Sequence, residues 1–192
     1  MTMDDQLMTG SVVVGVVDTA EQSLLVRDAA EEAVRRGAVL RILHAVEWPA
    51  PPGSAESTGR GATAQAAEHV IASFAESVGQ QYPQLAVVPD VVSGPPAQAL
   101  LDRSSAASLI VVGHRGAGGF PRLPLGSVSL QVATHSECPV LVVRPGEREE
   151  PRENRVVVGV DVDDLPSGLM EFALGALTRN LGHGLCGLGQ GS

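Results

Sequence analysis

The chain has 192 residues, of which 44% are apolar and only 3% aromatic, and its formal net charge is −9. This length holds one ordinary domain and a remainder too short for a second. The acidic balance argues against a binder of nucleic acid or of anionic membrane surfaces, because both functions need a basic surface.

Targeting and redox signals are also absent from the sequence. Residues 1–10 carry Asp4 and Asp5 and no apolar core, which is unlike a signal peptide. No apolar run approaches the roughly 20 residues needed to cross a bilayer. The two cysteines, Cys138 and Cys186, lack metal-ligand spacing. We therefore expect a soluble cytoplasmic protein without a protein metal site.

Strands and helices alternate along the first three quarters of the chain. In order, the predicted elements are a strand at 12–17, a helix at 20–36, a strand at 39–46, a helix at 62–79, a strand at 85–92, a short helix at 96–107, a strand at 109–112, a helix from Ser127 and a strand at 139–143. The first strand is a continuous run of Val and Gly, typical of a strand buried on both faces. Gly37 stands at the C′ position of the first helix, and Pro89 weakens the third strand. This alternation predicts an α/β three-layer sandwich with a five-stranded, mainly parallel sheet and right-handed crossovers.

The sequence starts again after the fifth strand. Residues 144–155 are charged and contain two prolines, as a linker would, and residues 156–160 repeat the VVVGV of residues 12–16 at an offset of 144. We predict a tail at 1–10, a complete domain at 11–145, a linker at 146–155 and a truncated second repeat at 156–192. One strand and one helix cannot bury their own apolar face, so the last segment is not an independent domain.

One Gly-rich segment carries the clearest chemical signal. Gly113 and Gly116 follow the fourth strand, and Gly126-Ser127 come nine residues later. Parallel α/β sheets bind ligands at the carboxyl ends of their strands, near a topological switch. Glycines let the backbone approach a phosphate, while Ser127 offers a hydroxyl, an N-cap and helix N–H groups to negative charge. A lone Gly-rich loop would be interpreted as a surface turn, but the full G-x2-G-x9-G-[ST] spacing favours a phosphate site.

This spacing resembles the nucleotide signature of the ATP-binding branch of the universal stress protein family. The segments LIVVGHRGAGG, LGSVS and CPVLVVRP look like the C-terminal half of that family, and VVVGV and LRILHAVE look like its start. The resemblance covers about residues 12–145. It implies an adenine-nucleotide α-hydrolase-like fold, ATP or AMP as ligand with Mg²⁺ as an option beside ATP, and a role as a stress-response nucleotide sensor or regulator.

The resemblance also implies roles for individual positions. Ala45, at the end of the second strand, would meet adenine through its backbone. Val17 and Asp18, at the end of the first strand, would face the ribose or a bound Mg²⁺. The phosphates and ribose would be wrapped by Gly113, His114, Arg115, Gly116, Gly126, Ser127, Val128 and Ser129.

The first strand departs from the family pattern. The family usually has Asp directly after VVVGV, whereas this chain has Val17 there and Asp18 one place later; the second repeat has Asp161 at the usual position. A shift of one residue along a strand reverses the side-chain direction, so Asp18 reaches the ligand only if the strand has already ended. Losing one carboxylate contact to ribose would cost about 1–3 kcal/mol.

Two other classes of function remain open. A nucleotide-independent interaction module of the same fold is favoured by Val17 in place of Asp. An enzyme of the related α-hydrolase group is the other, but the Ser-Gly-Gly-x-Asp-Ser loop of the PP-loop ligases is absent, and the chain has no lysine for a P-loop. His44 and His114 have no acidic partner at a useful spacing, so we predict a binder rather than an enzyme, with weak ATP hydrolysis as the remaining alternative.

The last predicted strand indicates how the chain would pair with a second copy. The family usually dimerises through it, and Val140–Val143 would be a hazardous bare edge if left unpaired. We expect a homodimer through this strand, or a pseudo-dimer in which the second repeat covers it.

Overall fold

The computed structural model describes residues 10–17, 22–46, 57–114, 125–144 and 174–175. Strands and helices alternate through these ranges, as predicted. The strands are β1 (Ser11–Gly15), β2 (Leu40–Val46), β3 (Val87–Ser93), β4 (Ala107–Gly113) and β5 (Val140–Val143). The helices are α1 (Ser23–Arg36), α2 (Ser57–Gln81), α3 (Pro96–Leu101) and α4 (Ser127–His135).

The sheet has the order β3-β2-β1-β4-β5, and every neighbouring pair is parallel. The chain first moves outward from β1 to β2 and β3, then returns to place β4 on the other side of β1. The strand order therefore reverses between β1 and β4, which is the position where open α/β sheets bind their ligands. The predicted fold class is confirmed.

The core has two layers because alternate strand residues face opposite sides of the sheet. On one side, Val13, Leu43 and Ile110 pack with Leu100 of α3 and Val132 of α4, and each of these side chains is buried. On the other side, α1 and α2 contact the sheet. These three layers are the predicted sandwich.

Gly15 sets the distance between β1 and α3. A Cβ atom at this position would lie 3.0 Å from Cδ1 of Leu100, closer than ordinary packing permits. Leu100 is 1% exposed and has little space to retreat. The glycine in VVVGV therefore allows a close approach of helix to strand, close to the carboxyl edge of the sheet.

The end of α1 confirms the prediction at Gly37. This residue has φ of 60° in the left-handed region, and the amide of Ala38 donates to the carbonyl of Ala33 at 2.9 Å. Glycine adopts this conformation at little cost, so the helix stops here and β2 can begin three residues later.

Two helix boundaries differ from the predictions by five residues or more. Helix α2 begins at Ser57 rather than at residue 62, because Gly59 and Gly61 lower helix propensity without breaking a helix that an Ala-rich segment continues. Helix α3 ends at Leu101 rather than at residue 107. The hydroxyl of Ser104 donates to the Leu101 carbonyl at 2.7 Å and so competes with the next helical turn.

Strand β3 is at a sheet edge, which explains how it accommodates Pro89. The amide of Leu40 donates to the Ala86 carbonyl, and the amide of Gly94 donates to the Val46 carbonyl. The backbone N–H and C=O groups of the even-numbered residues of β3 therefore point toward β2. The backbone of Pro89 points away from β2, to the outer edge of the sheet. Its missing N–H costs the ladder nothing.

The chain divides into two units, Met1–Pro145 and Gly146–Ser192. In the second unit, Leu174 and Gly175 are the residues that the structure describes. The predicted linker, and the second repeat apart from these two residues, lie outside the described residues, and both stay predictions. Within the described part of the chain, no helix has the length and apolar character to cross a membrane.

Candidate functional site

The base of the Gly-rich loop is closed by two backbone hydrogen bonds at the carboxyl end of β4. The His114 amide donates to the Val143 carbonyl at 2.8 Å, which extends the pairing with β5. The Gly126 amide donates to the His114 carbonyl at 2.7 Å. The two ends of the loop are thus joined at the strand end. Arg115 and Gly116, which lie between them, are outside the described residues.

The loop leads directly into the N-terminus of α4. The N-cap is Gly126, not Ser127 as we expected, with an extended backbone (φ −71°, ψ 163°) and no side-chain cap. Ser127 is the first helical residue instead. The first intrahelical bond runs from the Leu130 amide to the Gly126 carbonyl at 2.9 Å. The amides of Ser127, Val128 and Ser129 therefore have no partner inside the helix, and they carry its partial positive charge.

The backbone conformation at Gly126 does not itself require glycine, since any residue adopts an extended φ and ψ. Of the predicted phosphate-binding residues, the structure brings together Gly113, His114, Gly126, Ser127, Val128 and Ser129.

Ser129 has a contact that the sequence did not indicate. Its hydroxyl donates to the carbonyl of Gly113 at 2.5 Å, and the residue is 3% exposed. This bond joins the first turn of α4 to the last residue of β4.

The first strand ends earlier than predicted. β1 ends at Gly15, although the Val16 amide still donates to the Leu43 carbonyl at 2.9 Å. Val17 follows outside the strand and is half-buried, and Asp18 lies outside the described residues. Asp18 is expected to reach the ligand only if the strand has already ended. The strand ends before this position, so that condition is met.

The backbone of Ala45 faces the opening left by β1. The backbone groups of Leu43 point toward β1, because its carbonyl accepts the Val16 amide. Those of Val46 point toward β3, because its carbonyl accepts the Gly94 amide. Alternation then turns Ala45 toward β1, beyond the point where that strand has ended. Its N–H and C=O groups thus face the space above β1 at the switch point.

His44 contacts the same strand end. Its Nδ1 lies 2.9 Å from the Val16 carbonyl oxygen. A carbonyl can only accept, so Nδ1 carries the hydrogen and Nε2 is the acceptor of the neutral ring. Through this contact His44 has a structural or site-lining role at the end of β1.

Two further observations concern other reactive side chains. Burial raises the pKa of the Cys138 thiol, which is half-buried and contacts Ser136, so this cysteine is a weak nucleophile at neutral pH. Within the described ranges, no three His, Cys, Asp or Glu side chains are grouped as metal ligands would be.

Sequence reasoning missed one ionic group. Asp90 Oδ2 accepts from Nε of Arg103 at 2.7 Å and from Nη1 of Arg41 at 3.3 Å. The three side chains are between 11% and 18% exposed. Asp90 lies 49 residues from Arg41 and 13 residues from Arg103 in sequence, so no local pattern signals the cluster.

The parallel sheet, with the base of a Gly-rich loop and the N-terminus of α4 at its switch point, makes this a doubly wound α/β protein. The model of the universal stress protein family matches residues 8–144, and the chain belongs to this family. Universal stress protein Rv2623 of Mycobacterium tuberculosis (strain ATCC 25618 / H37Rv) is 37% identical over 139 residues, which are 69% of this chain and 44% of that protein. The chain spans about half the length of the curated relatives it matches.

Two solved structures share the fold. A universal stress protein in complex with cAMP aligns with a TM-score of 0.55 at 24% identity, over 72% of this chain and 98% of the other. The universal stress protein from Archaeoglobus fulgidus in complex with dAMP aligns with a TM-score of 0.51 at 18% identity, over 70% of this chain and 98% of the other. At this level of identity the likeness establishes the fold.

Proposed function

We propose that this protein binds ATP or AMP in the crevice between β1 and β4 and acts as a nucleotide-dependent regulator in a stress response. The observation that carries the proposal is the closed loop base, where the Gly126 amide bonds to His114 and the free first-turn amides of α4 lie beside the end of β4. The nucleotides bound by two proteins of the same fold, cAMP and dAMP, support an adenine nucleotide.

The phosphates would lie on neutral donors rather than on basic side chains. The N–H groups of Ser127, Val128 and Ser129 and the partial positive charge of the helix attract an anion. A protein of net charge −9 can bind phosphate in this way without a basic surface. Arg115 and Gly116 would complete the cradle from the loop.

The adenine would lie toward β2. The backbone N–H and C=O of Ala45 face the switch point, where they can pair with the edge of a base. Backbone groups recognise the base edge regardless of the side chain. Because the side chain of Ala45 is small, it leaves room for the ring. Val17 and Asp18 would then lie near the ribose.

Mg²⁺ would be held by the phosphates of ATP, its usual ligands in nucleotide sites. Among the described residues, no three metal-binding side chains are grouped. We therefore propose that Mg²⁺ enters with ATP, with the Asp18 carboxylate as its candidate protein ligand.

We propose a binder rather than an enzyme. The Val16 carbonyl orients the His44 ring through Nδ1, but His44 lies on β2, two strands from the phosphates proposed beside β4, and a general base needs its substrate within reach. Weak ATP hydrolysis at the phosphate loop is the alternative within this class.

The second candidate function is a nucleotide-independent interaction module. It is favoured by Val17, a half-buried aliphatic residue at the position where the family usually has Asp. The two candidates differ in whether the crevice binds a nucleotide at all.

Calorimetric titration of the full chain with ATP, AMP and cyclic AMP, with and without Mg²⁺, separates these candidates. We expect saturable heat with at least one adenine nucleotide, and its loss in Gly116→Ala, because a side chain there would fill the phosphate cradle. Absence of heat from every nucleotide, with the protein folded, would leave the interaction module as the function.

We also propose a homodimer through β5. The carbonyls of Pro139 and Val143 accept amides from β4, so alternation turns the backbone groups of Val140 and Val142 outward. This edge keeps both outward donors, whereas Pro89 removes one from the edge of β3. Sedimentation equilibrium at micromolar concentration should give twice the chain mass; a single-chain mass would contradict the dimer.

A further inference from the structure

The carbonyl of Gly113 stands where the ladder between β1 and β4 ends. Its neighbour His114 faces β5, because the His114 amide donates to the Val143 carbonyl. Gly113 therefore faces β1. Pairing between β1 and β4 ends at Val14 and Val111, so this ladder provides no strand partner for the Gly113 carbonyl.

Ser129 supplies that partner. Its hydroxyl donates to the Gly113 carbonyl at 2.5 Å, and Ser129 is buried, with 3% of its surface exposed. Ser129 is the third residue of α4, so the bond ties the first helical turn to the strand end. The single hydroxyl hydrogen is thus engaged by Gly113 and is not available to donate to a phosphate.

We propose that Ser129 is a positioning residue of the nucleotide site through its hydroxyl, which acts on Gly113 and the start of α4 rather than by touching the ligand; this rests on the function proposed above. The bond fixes the distance between the strand end that opens the loop and the helix amides that would bind phosphate. Donors held in place before binding need no reordering when the anion arrives. The family resemblance had placed Ser129 among the residues that touch the nucleotide.

Removing the hydroxyl leaves the Gly113 carbonyl without this donor. We expect Ser129→Ala to weaken nucleotide binding about fivefold, the change in affinity that corresponds to one net hydrogen bond of about 1 kcal/mol. Ser129→Thr keeps a hydroxyl and should retain most of the affinity.

The matched control is Ser104→Ala. Ser104 is 2% exposed, and its hydroxyl donates to the Leu101 carbonyl at 2.7 Å, in the turn after α3. Ser104→Ala removes a buried bond of the same kind at a place outside the crevice. Both alanine variants should lower the urea midpoint by similar amounts, but only Ser129→Ala should lower affinity for ATP or AMP. If Ser129→Ala fails to fold, Ser129→Cys replaces it, since a thiol is a weak donor.

Hydrogen exchange of the ligand-free full chain gives a second readout. The Gly126 amide, bonded to His114, should exchange several times faster in Ser129→Ala than in the wild type, because the loop base loses its tie to the helix. A residue that only touched the ligand would leave this exchange unchanged, and an unchanged rate would overturn the positioning role.

The titrations separate the two levels of the proposal. If the wild type binds no nucleotide, the proposed function fails and the exchange rate alone decides the role of Ser129. If the wild type binds but Ser129→Ala binds equally well, the function stands and the positioning role is wrong. Equal losses of affinity in Ser129→Ala and Ser104→Ala would mean a global effect and would also overturn it.

Discussion

Replacing Val17 by aspartate is expected to tighten the binding of ATP or AMP ten- to a hundredfold. A carboxylate at this position would accept hydrogen bonds from ribose hydroxyls, and bonds to a charged group contribute about 1.5–3 kcal/mol. The family pattern places Asp directly after VVVGV, where this chain has Val17. Calorimetric titration of Val17→Asp beside the wild type measures the gain.

The geometry favours this gain. β1 has ended two residues earlier, at Gly15, and Val17 is only half-buried. An aspartate there can keep contact with water in the free protein, so its desolvation cost is small. The substitution should therefore lower the stability of the free protein by no more than about 1 kcal/mol, in the range of ordinary substitutions.

Two variants test the cause of the effect. Val17→Asn has nearly the same shape as Val17→Asp without the charge and should gain less. Asp18→Ala asks whether the neighbouring residue already supplies the carboxylate. A large loss of affinity in Asp18→Ala combined with no gain in Val17→Asp would show that Asp18 already supplies the carboxylate to the ribose, and the predicted gain from Val17→Asp would be wrong.

Most of the sheet could be predicted because buried parallel strands leave a strong local signal. The apolar runs at β1 and β4 are continuous, since both faces of a central strand are covered. The end of α1 was equally accessible, because Gly37 is needed for a left-handed backbone. Ends of helices without such a residue, as in α2 and α3, depend on weaker preferences that tertiary contacts override.

The candidate site likewise has features that could be predicted from the sequence and features that could not. The glycine spacing placed Gly113 and Gly126 in one loop, and the structure joins the ends of that loop through His114. The sequence could not show that Ser129 would turn inward to Gly113, since this depends on how far α4 lies from β4. Backbone direction at Ala45 likewise follows from the register of three strands rather than from its own residue type.

The ionic cluster of Asp90, Arg41 and Arg103 is the case in which sequence gave no signal at all. Asp90 lies on the edge strand β3, Arg41 on β2, and Arg103 in the turn after α3. Only the parallel register and the return of α3 across the sheet bring them together. Two guanidinium groups on one carboxylate make that carboxylate the residue whose loss should cost most.

Asp90→Ala is expected to lower the free energy of unfolding by about 3 kcal/mol, at the lower end of the range for removing one partner of a buried ion pair. Its carboxylate is 13% exposed and accepts from both arginines. Without it, two positive charges remain close together and largely shielded from water. Urea unfolding of the full chain, with the slope checked for two-state behaviour, gives this difference.

The matched control is Asp102→Ala, which makes the same chemical change at an exposed aspartate whose bond is to Gln98; it should cost less than about 0.5 kcal/mol. Adding Arg41→Met to Asp90→Ala should recover part of the loss, since it removes a stranded charge and keeps an apolar stem. The cluster would be no more than a surface ion pair if Asp90→Ala and Asp102→Ala unfolded at the same urea concentration. Because the two arginines come from β2 and from the turn after α3, a large loss in Asp90→Ala alone would mean that this one carboxylate holds the edge strand, its neighbour and the turn after α3 together.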